Sequence, residues 1–228
     1  QSPIAEKIRM TFGIMGLDWY SVQIPRIPPK PKLTPLTGGY RRTPVLQVGA
    51  DIFCDSQCIA FQLGKLKSKK VAYDSSNRAL ELILGSFGEN ILFKLTVRIV
   101  LTTSMGVAPE DFIKDRSSLY FEPGWTVEEM QNSLPSVLLQ LQSAFELINH
   151  HLTSYGPYMN GNNPSYADAV IQHCVWFLCG RWDGGDSFIA PFKALIKHRD
   201  LITQIGHGSF VDCAPEEALK IAKNHIST

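Results

Sequence analysis

A Thr-Pro step at the head of an apolar strand, Thr43-Pro44-Val45-Leu46, followed by Asp55-Ser56 at the head of an apolar helix, constrains this chain more than any other feature. Proline cannot donate to a sheet ladder, so in a strand it belongs at an edge. The step makes sense if the peptide is cis, leaving a neighbouring backbone N–H and C=O free for a guest peptide. An acid and a hydroxyl just downstream can hold an amino group and a carboxylate. Together they describe a site for a small, doubly charged peptide.

Around these motifs the chain reads as two parts. Its 228 residues suffice for one large domain or two small ones. Ile4, Ile8, Phe12 and Met15 make a helical stripe that Gly16 terminates. Trp19-Tyr20-Ser21-Val22-Gln23-Ile24 alternates as a strand. A proline-rich loop runs from Pro25 to Pro35 and closes on Gly38-Gly39. Val45-Leu46-Gln47-Val48 and Ile52-Phe53-Cys54 flank the turn Gly49-Ala50-Asp51 and read as a hairpin. Asp55 or Ser56 caps a helix with Ile59, Leu63 and Leu66 on one face. This α/β order fills 1–66, and the polar stretch 67–78 reads as a linker.

From 79 to 228 the pattern is helical. Leu80, Leu84, Phe87, Ile91 and Leu95 form one stripe. Thr126 and Glu129 make a capping box before Leu134, Leu138, Leu141, Phe145, Ile148 and Leu152. Pro135 predicts a kink or a restart in that helix. Ser165-Tyr166-Ala167-Asp168 is a second hydroxyl-x-x-acid box, and Pro215 opens a last helix.

Composition narrows the function classes. Lys plus Arg is 22 against 21 for Asp plus Glu, a net charge of +1, which argues against a nucleic-acid binder. The basic run Lys65-Leu66-Lys67-Ser68-Lys69-Lys70 reads as a solvated helix end or linker. Five cysteines without a CxxC pair suit reduced thiols in the cytoplasm. No apolar stretch reaches membrane-spanning length, and no signal peptide is visible at the start. His150, His151, His173, Cys174 and Cys179 do not match the spacing of a zinc site, so no metal is expected.

Ser2-Pro3-Ile4-Ala5-Glu6-Lys7-Ile8-Arg9, Thr43-Pro44-Val45-Leu46, Asp55-Ser56 and Ser165-Tyr166-Ala167-Asp168, in that order, resemble the cytosolic glutathione transferase family. The first looks like the Ser-Pro helix start of tau-like and omega-like members. Leu36-Thr37-Gly38-Gly39-Tyr40-Arg41-Arg42-Thr43-Pro44 looks like a bacterial and fungal subgroup. The resemblance implies an α/β thioredoxin-like N-terminal domain, an all-α C-terminal domain and a homodimer. The family fold begins with an interior strand before the Ser-Pro start, whereas these residues begin at Gln1. The expectation is a chain that extends upstream, since a missing interior strand would leave two rows of backbone groups unpaired.

The resemblance also implies roles. The task is to present glutathione as a thiolate, and a free thiol titrates near about 8.5. Lowering it by about two units takes roughly 2.7 kcal/mol, which a helix N-terminus and a hydroxyl donor can supply. Ser2 would donate to the sulfur, or be a plain N-cap. Thr43, held open by Pro44, would offer its backbone to the cysteinyl unit. Ser56 would take the γ-glutamyl carboxylate and Asp55 lie near the ammonium, unless the pair is an ordinary cap. Lys30 falls where omega-like members hold the glycyl carboxylate, with Arg41 or Arg42 as substitutes and a solvated loop lysine as the alternative. Phe87, Asn90, Ile91 and Lys94 are candidates for the electrophile site. Ser165 and Asp168 are assigned to folding.

Serine cannot form a mixed disulfide, which favours conjugation or thiolate-catalysed isomerisation over deglutathionylation; the leading expectation is conjugation of glutathione to small hydrophobic electrophiles. Two alternatives stay open. One is glutathione-dependent cis/trans isomerisation of an activated alkene, in detoxification or a biosynthetic pathway. The other is a non-catalytic ligand-binding member of the fold.

Overall fold

The computed structural model of the chain describes residues 2–66 and 78–226. The expected linker therefore lies outside the described residues, apart from Arg78. The first elements are α1 (Pro3–Met15), β1 (Asp18–Val22), a 3-10 turn (Thr34–Thr37), β2 (Val45–Val48), β3 (Asp51–Cys54) and α2 (Ser56–Leu63). Then come α3 (Arg78–Phe87), a π-helical turn (Gly88–Leu92), α4 (Phe93–Ser104), α5 (Glu110–Tyr120), α6 (Val127–Tyr155), α7 (Tyr166–Arg181), α8 (Gly185–Ile189) and α9 (Lys193–Ile205). The chain ends in β4 (Ser209–Cys213) and α10 (Pro215–Asn224). The α/β part followed by a helical part is the order the sequence predicts.

Residues up to Arg78 cluster with those from Ile205 onward as one compact unit, and Ala79–Gln204 form a second. In the first unit, α1 starts where Ser2 caps it and Pro3 sits in the first turn, where a missing N–H costs nothing. It stops at Gly16, whose φ of 66° places it in the left-handed region. Ile8, Phe12 and Met15 are buried as their spacing predicts. The hairpin is antiparallel, with Val45 opposite Cys54 and Val48 opposite Asp51. In α2, Ile59 and Leu63 are buried, but Leu66 lies beyond the helix end and is exposed.

Ser209–Cys213 is the largest departure in this unit. The sequence reading places 79–228 in a helical region, yet this segment is a strand. It pairs in parallel with β1, from Asp18 opposite Ser209 to Val22 opposite Cys213. One row of β1 backbone groups thereby finds partners. Among the described residues the strands make two two-stranded sheets, β1 with β4 and β2 with β3.

The second unit is helical, and α7 is its centre. Ala167, Ala169, Val170, Ile171, Cys174, Val175 and Leu178 are all fully buried, and Asp168, Gln172 and His173 are buried with them, so this helix is enclosed by its neighbours over most of its length. Helix α6 begins at the Thr126–Glu129 box and runs through Pro135 as one element.

The stripe expected on Leu80, Leu84, Phe87, Ile91 and Leu95 is not the buried one. Leu80 and Ile91 are 46% and 47% exposed. The buried row passes instead through Glu81, Gly85, Gly88, Leu92, Thr96 and Ile99. Close packing explains the choice: a Cβ on Gly88 would lie 2.1 Å from Val170 Cγ1. Small residues admit α7 here, and a count of large apolar side chains does not register them. The π-helical turn also shifts the phase between α3 and α4.

Candidate functional site

The hairpin register assembles the core of the expected site. Because Val45 faces Cys54, Thr43-Pro44 and Asp55-Ser56 sit next to one another at the open end of the hairpin. The Thr43–Pro44 peptide is cis, as the Thr-Pro step predicts. Asp55 has φ 71° and ψ 132°, a conformation costing a non-glycine residue about 1–3 kcal/mol and one that clusters at functional sites. Its exposed carboxylate accepts the backbone N–H of Gln57 at 2.9 Å and of Cys58 at 3.2 Å. Ser56, the first residue of α2, is buried. A strained acidic cap thus stands beside a cis-proline strand end, its exposed carboxylate already closing the first turn of α2 through the Gln57 and Cys58 N–H groups.

Ser2 is half-buried at the N-terminus of α1, which packs on α2. Its Oγ accepts the Ala5 N–H at 3.4 Å, and its carbonyl accepts the Glu6 N–H at 2.9 Å. A hydroxyl used as an acceptor in this way still has its proton to donate. The cap and the donor role are therefore chemically compatible.

Lys30 is not a solvated loop lysine. It is 6% exposed, and its Nζ donates to the Arg41 carbonyl at 3.0 Å, tying the proline-rich loop to the segment before Thr43. Arg42 is exposed and Arg41 half-buried. Phe87, Asn90, Ile91 and Lys94 belong to the second unit, across the π-helical turn. Phe87 is half-buried and the other three are exposed, with Asn90 Nδ2 donating to Ser86 Oγ at 3.2 Å.

Ser165 and Asp168 form a buried polar knot. Asp168 Oδ2 accepts the Ser165 backbone N–H at 2.7 Å, and Oδ1 accepts the Met159 N–H at 2.8 Å. His198 Nε2 also reaches Oδ1, at 2.8 Å. Sequence reasoning missed His198, although it stands between Leu195 and Ile202 on the apolar stripe of α9, and all three are buried. Glu81 was missed too. Burial pushes its carboxyl up to about 7, against the pull of the Ser165 hydroxyl, the Ala167 N–H and the Asn160 amide, with the Asp168 charge adding to the rise.

All five cysteines are free. Among the described residues no cluster of three or more His, Cys, Asp or Glu is arranged to hold a metal. No helix among them is long and apolar enough to cross a membrane.

Comparison with known proteins agrees with this geometry. Residues 1–70 match the family model described as glutathione S-transferase, N-terminal domain. A solved structure of a GST-like protein from Pseudomonas syringae is 32% identical, with 100% of this chain and 72% of that one covered, at a TM-score of 0.77. A glutathione S-transferase from Methylobacillus flagellatus, solved with GSH bound, has the same fold at 16% identity, 90% and 95% coverage and a TM-score of 0.60. A cysteine-for-serine variant of poplar glutathione transferase F1 aligns at 15% identity, 86% and 80% coverage and a TM-score of 0.55. No curated protein matches the chain. With a relative of that identity aligned over the full length of these residues, and with the first seventy matching the family's own N-terminal domain, the chain belongs to the glutathione transferase family.

Proposed function

We propose that this protein binds glutathione at the open end of the β2–β3 hairpin and transfers its thiolate to small hydrophobic electrophiles. The observation that carries the reading is the juxtaposition of cis Thr43–Pro44 with the strained Asp55–Ser56 cap. In this reading the Thr43 backbone pairs with the cysteinyl unit like an added strand. The N-terminus of α2 with Ser56 receives the γ-glutamyl carboxylate, and Asp55 balances the ammonium. Ser2 donates its hydroxyl proton to the sulfur and stabilises the anion without becoming a nucleophile. Arg42 is exposed and able to meet the glycyl carboxylate, a role that Lys30, already donating to the Arg41 carbonyl, is less suited to fill. The bound GSH of the Methylobacillus flagellatus protein supports the choice of ligand. Five free thiols suit a reducing compartment.

Phe87, Asn90, Ile91 and Lys94 are proposed to contact the electrophile, and the molecule is proposed to be a homodimer, which light scattering would check. The central test is calorimetry with glutathione followed by turnover of an activated aromatic halide. Uptake of glutathione with formation of an adduct supports the proposal, and no uptake refutes it. A product of unchanged mass and altered alkene geometry would assign isomerisation instead. Binding without any turnover would assign ligand carriage.

A further inference from the structure

We propose that the loop Gly206-His207-Gly208 is a clamp on α1, and that His207 is a positioning residue for the Ser2 hydroxyl. This rests on the functional reading above for what Ser2 does, but the clamp itself rests on geometry within the first unit. The loop follows one stripe of α1 from Glu6 to Gly13 and on to the Leu17 carbonyl. At its start, His207 Nε2 lies 2.6 Å from Glu6 Oε1. At Gly13 the two backbones meet so closely that a Cβ would fall 2.0 Å from the Gly206 carbonyl oxygen. Beyond the helix end, a Cβ on Gly208 would fall 2.5 Å from the Leu17 carbonyl oxygen. Gly206 and Gly208 have φ of 69° and 75°, so glycine serves both the turn and the approach.

His207 is also tied to the sheet. Its carbonyl accepts the Trp19 indole N–H at 2.8 Å. The Trp19 ring stacks on Phe210 with centroids 4.9 Å apart, and Phe12 of α1 lies at the same distance on a tilt. His207 thus links α1 to β1, and Trp19 carries the contact on to β4.

Electrostatics gives the link a chemical consequence. Glu6 is 3% exposed and stands one turn from Ser2. Burial alone would raise its carboxyl, but the His207 hydrogen bond and Arg9 more than offset this and hold it below the ordinary carboxylate range. Arg9 Nε donates to Glu6 Oε2 at 2.9 Å. The ionised carboxylate only accepts, so His207 Nε2 carries the proton between them. A loose or less neutralised carboxylate this near the helix start would oppose a thiolate there. Glu6, Arg9 and His207 are the charged or titratable groups joined in this contact.

The test compares wild type with His207→Ala and His207→Gln. Glutamine keeps an N–H donor for Glu6 and alanine does not. Three measurements are made: amide exchange in the first turn of α1, calorimetric affinity for glutathione, and the pH titration of bound thiolate by ultraviolet absorbance. In His207→Ala we expect faster exchange at Ala5 and Glu6, affinity within about threefold of wild type, and about tenfold less thiolate at neutral pH. His207→Gln should restore the thiolate. Unchanged first-turn exchange in His207→Ala overturns the clamp. Faster exchange with an unchanged thiolate titration overturns the positioning role. If wild type takes up no glutathione while exchange still rises in His207→Ala, the functional reading fails and the clamp is supported. Should His207→Ala not fold, His207→Asn takes its place, because its shorter amide cannot span the distance to Glu6.

Discussion

Ser2 illustrates how one side chain can serve folding and chemistry together. Its oxygen lone pair closes the first turn of α1 while its proton stays available. Ser2→Ala should therefore lower turnover at neutral pH by about 3–25-fold, since raising a thiol pKa by one to two units from about 6.5 cuts the thiolate fraction there by that factor. Glutathione affinity should stay within about threefold, as read by calorimetry. Equal turnover in the two proteins would remove Ser2 from the mechanism. The cysteines make a second prediction at this scale. Cys58 is exposed, Cys174 is fully buried, and burial with the nearby Asp186 charge pushes the Cys179 thiol up to about 11. Alkylation followed by mass spectrometry should label Cys58 first, the half-buried Cys179 slowly, and Cys174 only on unfolding. Glu81 supplies a third. Its carboxyl is raised, so the folded protein keeps a proton that the unfolded chain releases. The associated stability is full below pH 4.5 and is lost as pH rises to about 7. Glu81→Gln imitates the protonated acid. It should flatten that loss in thermal melts recorded across the window and make the variant the more stable protein above it, by about 3 kcal/mol at most.

At the scale of elements, caps, turns and the buried faces of α1, α2 and α6 were legible, while the face of α3 and α4 was not. The Thr126–Glu129 and Ser165–Asp168 boxes, the Gly16 stop and the hairpin turn, which is Gly49-Ala50 because Asp51 already pairs with Val48, each act through atoms a few residues apart. The buried face of α3 and α4 depends instead on what approaches it. Glycines 85 and 88 form part of that face, and hydrophobic periodicity passes over them. A direct consequence is that Gly88→Ala should destabilise the second unit, because the added methyl meets Val170 Cγ1. Val170→Ala should recover part of the loss in the double variant. Additive destabilisation in denaturant melts would mean the two positions do not share that contact. The same reasoning explains Lys30. Nothing in the proline-rich loop signals that its ammonium turns inward to the Arg41 carbonyl.

Across the whole molecule, the first unit is discontinuous in sequence. The segment from Ile205 onward supplies β4, the His207 contact with Glu6, and a bond from Gln47 Nε2 to the Ala218 carbonyl at 2.8 Å. Lys32 and Glu216 add a surface ion pair, of minor energetic weight. Ending the chain at Gln204 should therefore strip amide-exchange protection from Asp18–Val22. Retained protection there would show that β1 finds its hydrogen bonds elsewhere.

What the residues determined unaided was local: where helices begin and stop, the hairpin, the cis Thr43–Pro44 step and the acidic cap after it. Those signals depend on backbone torsions and on donors within one turn, and need no distant partner. Tertiary contact alone decided that β4 lies beside β1, that Gly88 rather than Ile91 faces α7, that Lys30 turns inward, and that His207 holds Glu6. Each of those choices joins groups far apart along the chain, through close packing and desolvated charge that no short window of sequence contains.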